Sequence, residues 1–174
     1  IGLLTTNSDP EGRPTIFDHL PVDLPRLMSV GRLDLNSEGL LLLTNDGDLS
    51  RYLELPKTGW SRKYRVRIFG KIEERQLDKL REGIFLKGIN YSPMGITLDS
   101  QGRTNSWLTV ILKGGKNREI RETFGSFGLR VNRLIRVAYG PLNLGSLGKD
   151  EIVELDSDIL QKQILKEWSL SRLA

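Results

Sequence analysis

Alternating apolar and polar positions predict short strands along much of the chain. Within Tyr64–Phe69, Val66 and Ile68 fall on one side of the pleat. Arg65 and Arg67 fall on the other, so this segment predicts a strand with an apolar side and a basic side. Five further segments have the alternation or β-branched content of strands: Met28–Leu33, Gly39–Thr44, Ser106–Leu112, Val131–Ala138 and Glu151–Leu155.

Helical patterns are shorter, and the last one is amphipathic. Asp48 is predicted to be the N-cap of the first helix, and the apolar stripe of the last helix is predicted to pack on its own domain. Because strands outnumber helices without alternating regularly with them, we expect an α+β fold with mixed or antiparallel sheets. The predicted helices are Asp48–Leu53, Glu73–Glu82, Asn117–Phe127 and Ser157–Leu170.

A single acid, Asp34, stands in the most informative segment, residues 31–47. It follows the turn Gly31-Arg32-Leu33 and precedes an apolar run, Leu40–Leu43, that is typical of a buried strand. A carboxylate fixed on such a turn can act as a nucleophile or as an acid/base. Taken alone, the tetrapeptide equally suits an aspartate that caps the turn through its own backbone.

Composition narrows the chemistry that this chain can perform. A length of 174 residues suits one large domain or two closely packed halves. The absence of cysteine excludes disulfides and thiol nucleophiles, and a single histidine excludes a multi-histidine metal site. No apolar stretch has the length of a membrane span, so we expect no membrane segment. The absence of cysteine fits a reducing cytosol, and we expect a cytoplasmic protein without a metal.

The net charge is only +4, but basic residues are concentrated in one region. Between Lys113 and Arg136 there are seven basic residues and two acids, Glu119 and Glu122. This asymmetry predicts one face for an anionic ligand, with a nucleic-acid backbone as the first candidate. A solvated surface with scattered ion pairs is the alternative.

Four spaced motifs resemble those of the bacterial rRNA pseudouridine synthases, a family that includes a small-subunit enzyme and single-site large-subunit enzymes. Val30–Gly47 matches V-G-R-L-D-x-x-(T/S)-x-G-L-L-L-(L/F)-T-N-D-G throughout. The resemblance extends from residue 1 to about residue 156. The other matching segments are Asp9–Thr15, Lys63-Tyr64, and Gly115–Arg121 with Leu134–Arg136 and Gly140–Leu142.

The resemblance implies cofactor-free isomerisation of uridine to pseudouridine in rRNA. Asp34 matches the catalytic aspartate, and Arg121 matches an arginine that orients it and keeps it charged through a planar guanidinium. Tyr64 would lie against the uracil, and Ile120 would form an apolar wall on its other side. Arg32 and Lys63 would also contact the substrate, and the RNA backbone would be bound by Arg13, Lys116 and Arg118.

The resemblance also implies an architecture of two sheets side by side, with a central cleft that carries the aspartate. We expect a catalytic domain at residues 1–156 and a helix packed on it at residues 157–174. The family's N-terminal RNA-binding domain, of the S4 type, has no match here, and the chain opens on Ile1, so we expect a fragment of a longer protein. A monomer is expected.

The expected partner is ribosomal RNA or a ribosomal precursor particle. Asp9–Thr15 and Asn105-Ser106-Trp107 favour the large-subunit 23S rRNA over 16S. Gly114 replaces a glutamate that is common in the family, and Glu122 and Thr123 replace a basic residue and an apolar one. These departures affect the expected RNA contacts near the start of a helix and leave Asp34 and Arg121 in place.

Two alternatives belong to other functional classes. A noncatalytic rRNA-binding or ribosome-assembly module would be marked by loss of Asp34 or Arg121, and both are present. A glycoside hydrolase would use Asp34 and Glu38 as paired carboxylates. Because these two acids share one short loop without a nearby tryptophan, the sequence favours the hydrolase least.

Overall fold

A computed structural model describes residues 1–55 and 60–159, together with Lys162 and Ile164. The strands are β1 (Met28–Ser29), β2 (Glu38–Gly39), β3 (Leu43–Thr44), β4 (Arg62–Phe69), β5 (Ile84–Leu86), β6 (Ile89–Tyr91), β7 (Gly95–Gln101), β8 (Asn105–Leu112), β9 (Val131–Tyr139) and β10 (Leu142–Asn143). The helices are α1 (Gly47–Glu54), α2 (Glu74–Glu82), α3 (Glu119–Ser126) and the short α4 (Ser157–Ile159), with a 3-10 turn at Ile16–His19.

A six-stranded sheet forms the centre of the fold. Five strands run antiparallel in the order β10-β9-β4-β8-β7, and β2 joins β9 in parallel. Two-stranded sheets, β1 with β3 and β5 with β6, complete the described part. The expected α+β class with mixed sheets is therefore confirmed, and its sheets are of unequal size.

The alternation in β4 places it at the middle of this sheet. Val66 and Ile68 are fully buried, and Arg65 is exposed on the opposite side. Helices α2 and α3 cover the buried side of the sheet with Leu77, Leu80 and Phe124, which are almost completely buried. Each such side chain contributes about 1.5–3 kcal/mol of burial free energy.

A second apolar cluster lies beside the first, under the other end of the sheet. It joins α1 to β9 and β10, and the described Ile164 is buried in it. Its other buried members are Val30, Leu40, Leu49, Leu53, Trp60, Tyr139 and Leu142. Val30, at the start of the segment between β1 and β2, is thereby anchored in this cluster.

The structure corrects the start of the first helix. Asp46, not Asp48, is its N-cap, because the Asp46 carboxylate accepts hydrogen bonds from the backbone N–H of Asp48 (2.9 Å) and Leu49 (3.0 Å). Helix α3 begins at Glu119, two residues later than predicted. Helix α2 begins one residue late, at Glu74.

Two predicted strands are much shorter than expected. Met28–Leu33 retains only β1, because Gly31 has a φ of +66° and turns the chain. Gly39–Thr44 is divided between β2 and β3. Gly39 has a φ of +109° and lies so close to β9 that a Cβ would come within 2.3 Å of the Arg136 carbonyl oxygen.

The predicted strand Glu151–Leu155 is absent from the structure. Its apolar residues Ile152 and Val153 are 45% and 61% exposed, so the alternating pattern there does not correspond to a strand in a sheet. The sequence pattern does not predict β5, β6 and β10, which have only two or three residues each, or β7, whose only large apolar residues are Ile96 and Leu98. Most of the predicted C-terminal helix, Ser157–Leu170, lies outside the described residues. No helix in the described part of the chain is long and apolar enough to cross a bilayer.

Candidate active site

Asp34 lies on a loop between β1 and β2 that is tied down by backbone hydrogen bonds. The Ser37 N–H donates to the Asp34 carbonyl oxygen (2.8 Å), which closes a tight turn. The Thr5 hydroxyl lies 3.3 Å from both the N–H and the carbonyl oxygen of Leu33, and the Gly2 N–H donates to Leu35 (2.9 Å). The first residues of the chain therefore brace the loop from one side.

Arg136 holds the same loop from beneath. The residue is 2% exposed, and its Nε–H donates to the Leu40 carbonyl oxygen at 2.7 Å. Nη1 reaches the Arg32 carbonyl oxygen at 3.4 Å, while Nη2 is buried without a hydrogen-bond partner within the described part. Burial lowers the pKa of Arg136, and the ring of Tyr139 lies 5.3 Å from its guanidinium carbon.

Arg121 holds the middle of the loop. Its Nη2 donates to the Asn36 carbonyl oxygen (2.7 Å) and its Nη1 to the Val131 carbonyl oxygen (3.0 Å). Burial lowers the pKa of Arg121, the positive charge of Arg118 adds to this effect, and Asp34 opposes it. Arg121 and Arg136 thus bind carbonyls at residues 32, 36 and 40, and we call this pair the arginine clamp.

The carboxylate of Asp34 faces a different arginine from the one expected. Arg118 Nη1 lies 3.7 Å from Asp34 Oδ2, and this is the only ion pair of Asp34 among the residues with described positions. Both side chains are partly exposed, so the pair contributes less than about 1 kcal/mol to stability. Arg121 instead acts on the backbone two residues away.

Arg118 has an unusual backbone conformation. It is the N-cap of α3 with φ 50° and ψ 30°, the left-handed region that L-residues rarely occupy. Such strain costs about 1–3 kcal/mol and is concentrated at functional sites. The conformation places a guanidinium beside Asp34 at the start of the helix that also carries Arg121.

A cleft of about 550 Å³ surrounds this carboxylate. Among the residues predicted to form the site, the structure brings six to its lining: Arg32, Asp34, Tyr64, Lys116, Arg118 and Ile120. Tyr64 is half-buried on β4, and Ile120 is almost completely buried on α3. The cleft therefore offers a carboxylate, an aromatic ring, an apolar side chain and several cations to one ligand.

Three predicted residues lie outside this lining. Arg121 is behind the loop, as described above. Lys63 is exposed on the side of β4 opposite to Tyr64, because neighbouring strand residues alternate. Arg13 is paired with Asp9 (2.8 Å) and Glu11 (3.2 Å) on a separate surface loop.

Arg136 belongs to one of the sequence motifs, but the motif predicts no role for it at the site. A charged residue among the apolar residues of a strand such as Leu134–Ala138 is a signal that could have identified it. Glu119 was also missed. Burial raises the pKa of its carboxyl, which accepts the Lys116 N–H at 3.3 Å and shapes the cleft loop.

A carboxylate beside a guanidinium, in a cationic cleft with an aromatic ring, suits nucleophilic or acid–base chemistry on an anionic substrate with a planar group. In the described part of the chain, no group of three or more histidine, aspartate or glutamate side chains is arranged to hold a metal ion.

Comparison with known proteins agrees with this geometry. The family model described as RNA pseudouridylate synthase matches residues 6–126. An uncharacterised RNA pseudouridine synthase of Rickettsia prowazekii is 47% identical over 165 residues, which cover 95% of this chain and 69% of the relative. The ribosomal large subunit pseudouridine synthase B of Yersinia pestis is 43% identical over 144 residues, 82% of this chain but 45% of that protein.

Among solved structures, a pseudouridylate synthase crystal structure superimposes with a TM-score of 0.83 at 27% identity, covering 92% of this chain and 69% of the other. The family match covers more than half of the chain, and the resemblance of its motifs agrees with it. The chain therefore belongs to the RNA pseudouridylate synthase family.

Proposed function

We propose that the protein converts uridine to pseudouridine in ribosomal RNA of the large subunit, with Asp34 as the essential carboxylate. The observation that supports this most is the position of Asp34 on a clamped loop, at the wall of a cleft that also presents Tyr64 and Ile120. The names of the large-subunit relatives supply the substrate class. We also propose that the acting species is a monomer.

The reaction breaks the N1–C1′ bond of a uridine, turns the uracil and joins C5 to C1′, with the C5 proton leaving. Asp34 acts at the ribose–base junction as nucleophile or base, and Arg118 keeps a positive charge beside it. The arginine clamp fixes the loop by its backbone, so the carboxylate is presented without needing to reorganise. N1 takes up a proton in place of the one lost from C5, so substrate and product are isomers and the protein needs to supply no oxidant or energy source.

The cleft residues around Asp34 would hold the extruded nucleotide. A target base inside structured RNA must leave its stack, at a cost of a few kcal/mol. Stacking of the base on Tyr64 contributes about 1–3 kcal/mol, which offsets this cost, and Ile120 excludes water on the apolar side. Arg32, Lys116 and Arg118 lie where they can bind the flanking phosphates.

The proposal is tested with unmodified large-subunit and small-subunit rRNA transcripts. The purified protein is incubated with each, and pseudouridine is located by carbodiimide labelling and primer extension. We expect one new pseudouridine in the large-subunit transcript and none with Asp34→Asn. Modification of the small-subunit transcript alone would overturn the substrate assignment. Binding of rRNA without any modification, also in ribosomal precursor particles, would favour the noncatalytic module.

A further inference from the structure

The solvent side of the central sheet carries an aromatic residue with two arginines close to its ring. Trp107 lies on β8, directly across from Arg67 on β4. The guanidinium carbons of Arg65 and Arg67 are 5.4 Å and 5.7 Å from its ring centroid. Both distances are within the range of cation–π interactions. We call these three residues the platform.

Arg67 is held in place by a chain of amide hydrogen bonds. Its Nε–H donates to Asn132 Oδ1 at 2.7 Å, and Asn132 Nδ2 donates to Asn105 Oδ1 at 2.8 Å. The network joins β9, β4 and β8 across the sheet surface. Arg67 is therefore fixed before any ligand arrives, which lowers the entropy cost of binding.

Arg65 is held in a similar way by a carboxylate on β7. Its Nε lies 3.5 Å from Asp99 Oδ2, and the same carboxylate oxygen accepts the Thr109 hydroxyl at 2.9 Å. Within the described part of the chain, no hydrogen bond occupies the terminal nitrogens of Arg65 or Arg67. Each guanidinium has five N–H donors, so both keep donors for an external anion.

The surroundings of the platform are cationic. Lys63 and Arg133 share this side of the sheet with the two platform arginines, against the carboxylates of Asp99 and Glu38. The exposed Phe69, 59% accessible, adds a second aromatic ring at the end of β4. A basic surface interleaved with aromatic rings is the arrangement that binds single-stranded nucleic acid.

We propose that the platform binds a second, unpaired segment of the RNA substrate, with a base stacked on Trp107 and phosphates bound by Arg65 and Arg67. Tyr64 faces the cleft and Arg65 the opposite side of β4, so the nucleotide on the platform is a different one from the target uridine. The proposal rests on RNA being the substrate. It assigns to the back of the sheet a share of RNA affinity that the cleft does not supply.

Charge and ring chemistry together favour RNA over a protein partner. An acidic peptide would form ion pairs with the guanidiniums but would bring no nucleobase to stack on Trp107. An unpaired nucleotide supplies both the anion and the planar ring. Alternatively, the arginines only cover a half-buried tryptophan, in which case substitutions would change stability and leave RNA affinity intact.

The test compares Trp107→Leu, Trp107→Phe and the double variant Arg65→Gln/Arg67→Gln with the wild type. Binding to large-subunit rRNA is measured by filter retention over a range of salt concentrations. Arg75→Gln is the matched control, because Arg75 is 80% exposed on α2 and pairs only with Glu73 in the described part. Thermal unfolding of each variant is recorded alongside.

We expect Trp107→Leu to weaken binding by about five- to a hundred-fold, the loss typical of one stacked base, and Trp107→Phe to retain most of the affinity. The double arginine variant should lower the slope of log K against log salt by about 1.4, since each single-strand phosphate contact contributes about 0.7. In turnover assays the loss should appear in KM more than in kcat.

Wild-type affinity and salt slope in the tryptophan and arginine variants would overturn the proposal, whatever happens to their stability. If Trp107→Leu does not fold, the salt slope and the RNA affinity of the double arginine variant, with Trp107→Phe beside it, still test the proposal. This experiment measures RNA binding by the variants. Failure of the proposed function would look different, because the wild type would then bind RNA and form no pseudouridine.

Discussion

Arg136→Met is the substitution that probes the clamp most sharply, because methionine fills a similar volume without a charge or a donor. The change removes the 2.7 Å bond to the Leu40 carbonyl and the 3.4 Å contact with the Arg32 carbonyl. A bond from a charged donor is worth roughly 1.5–3 kcal/mol, and the long contact adds less. Removing a desolvated guanidinium with an unpartnered Nη2 offsets part of this loss.

The net destabilisation should therefore be about 1–3 kcal/mol, which lowers Tm by roughly 2–12 °C for a domain of this size. Arg130→Met is the control, because Arg130 is exposed just before β9 and should change Tm by little. Thermal unfolding followed by circular dichroism measures both.

The effect of Arg136→Met on catalysis should exceed its effect on folding. Both ends of the loop lose an anchor, and a displacement of Asp34 by about 1 Å can reduce turnover roughly a hundred-fold. Pseudouridine formation is measured well below the Tm of the variant, so that all molecules are folded. A variant with wild-type turnover would refute the idea that the clamp positions Asp34. If its Tm were also that of the wild type, the estimated contribution of the Arg136 hydrogen bonds to stability would be refuted too.

Arg118→Gly should raise stability by about 1 kcal/mol in urea unfolding, because glycine adopts the left-handed conformation without strain, while Arg118→Ala loses the same side chain and keeps the strain; equal stabilities would contradict this. Gly39→Ala should destabilise by about 1–3 kcal/mol or more, because its Cβ would meet the Arg136 carbonyl oxygen at 2.3 Å and φ is +109°; an unchanged unfolding midpoint would show that the loop yields there. Hydrogen bonds from the Arg13 side chain and N–H lower the pKa of Asp9 to about 2, and their stabilising contribution, complete above pH 3.8, is lost as pH falls towards 2. Arg13→Gln should raise the Asp9 pKa in a carboxyl NMR titration, and an unchanged value would assign the shift to the backbone donors.

Local pattern predicted the parts of the fold that local physics determines. The two sides of β4 followed from alternation alone, and the turn at Gly31 and the apolar run after it located the loop of Asp34. Alternation also opposes the assignment of both Lys63 and Tyr64 to one cleft, since neighbouring strand residues face opposite sides. That conflict was already visible in the sequence.

Other features depend on contacts between distant segments. Arg118 rather than Arg121 contacts Asp34 because α3 begins at Glu119, which leaves Arg118 in a left-handed cap facing the loop. Arg136 binds carbonyls about a hundred positions away in sequence, and no local pattern specifies such a partner. Motif spacing brought the right segments together, but the pairing of side chains required the tertiary structure.

The measurement that tests the central claim most directly is tritium release from C5-labelled uridine in large-subunit rRNA, comparing the wild type with Asp34→Asn. The C5 hydrogen leaves only when C5 is joined to the ribose, and asparagine keeps the size of the side chain without its charge. We predict release by the wild type and none by Asp34→Asn, with RNA affinity within a few-fold of the wild type. Release by Asp34→Asn at the wild-type rate would contradict the account, because the carboxylate would then have no part in the reaction.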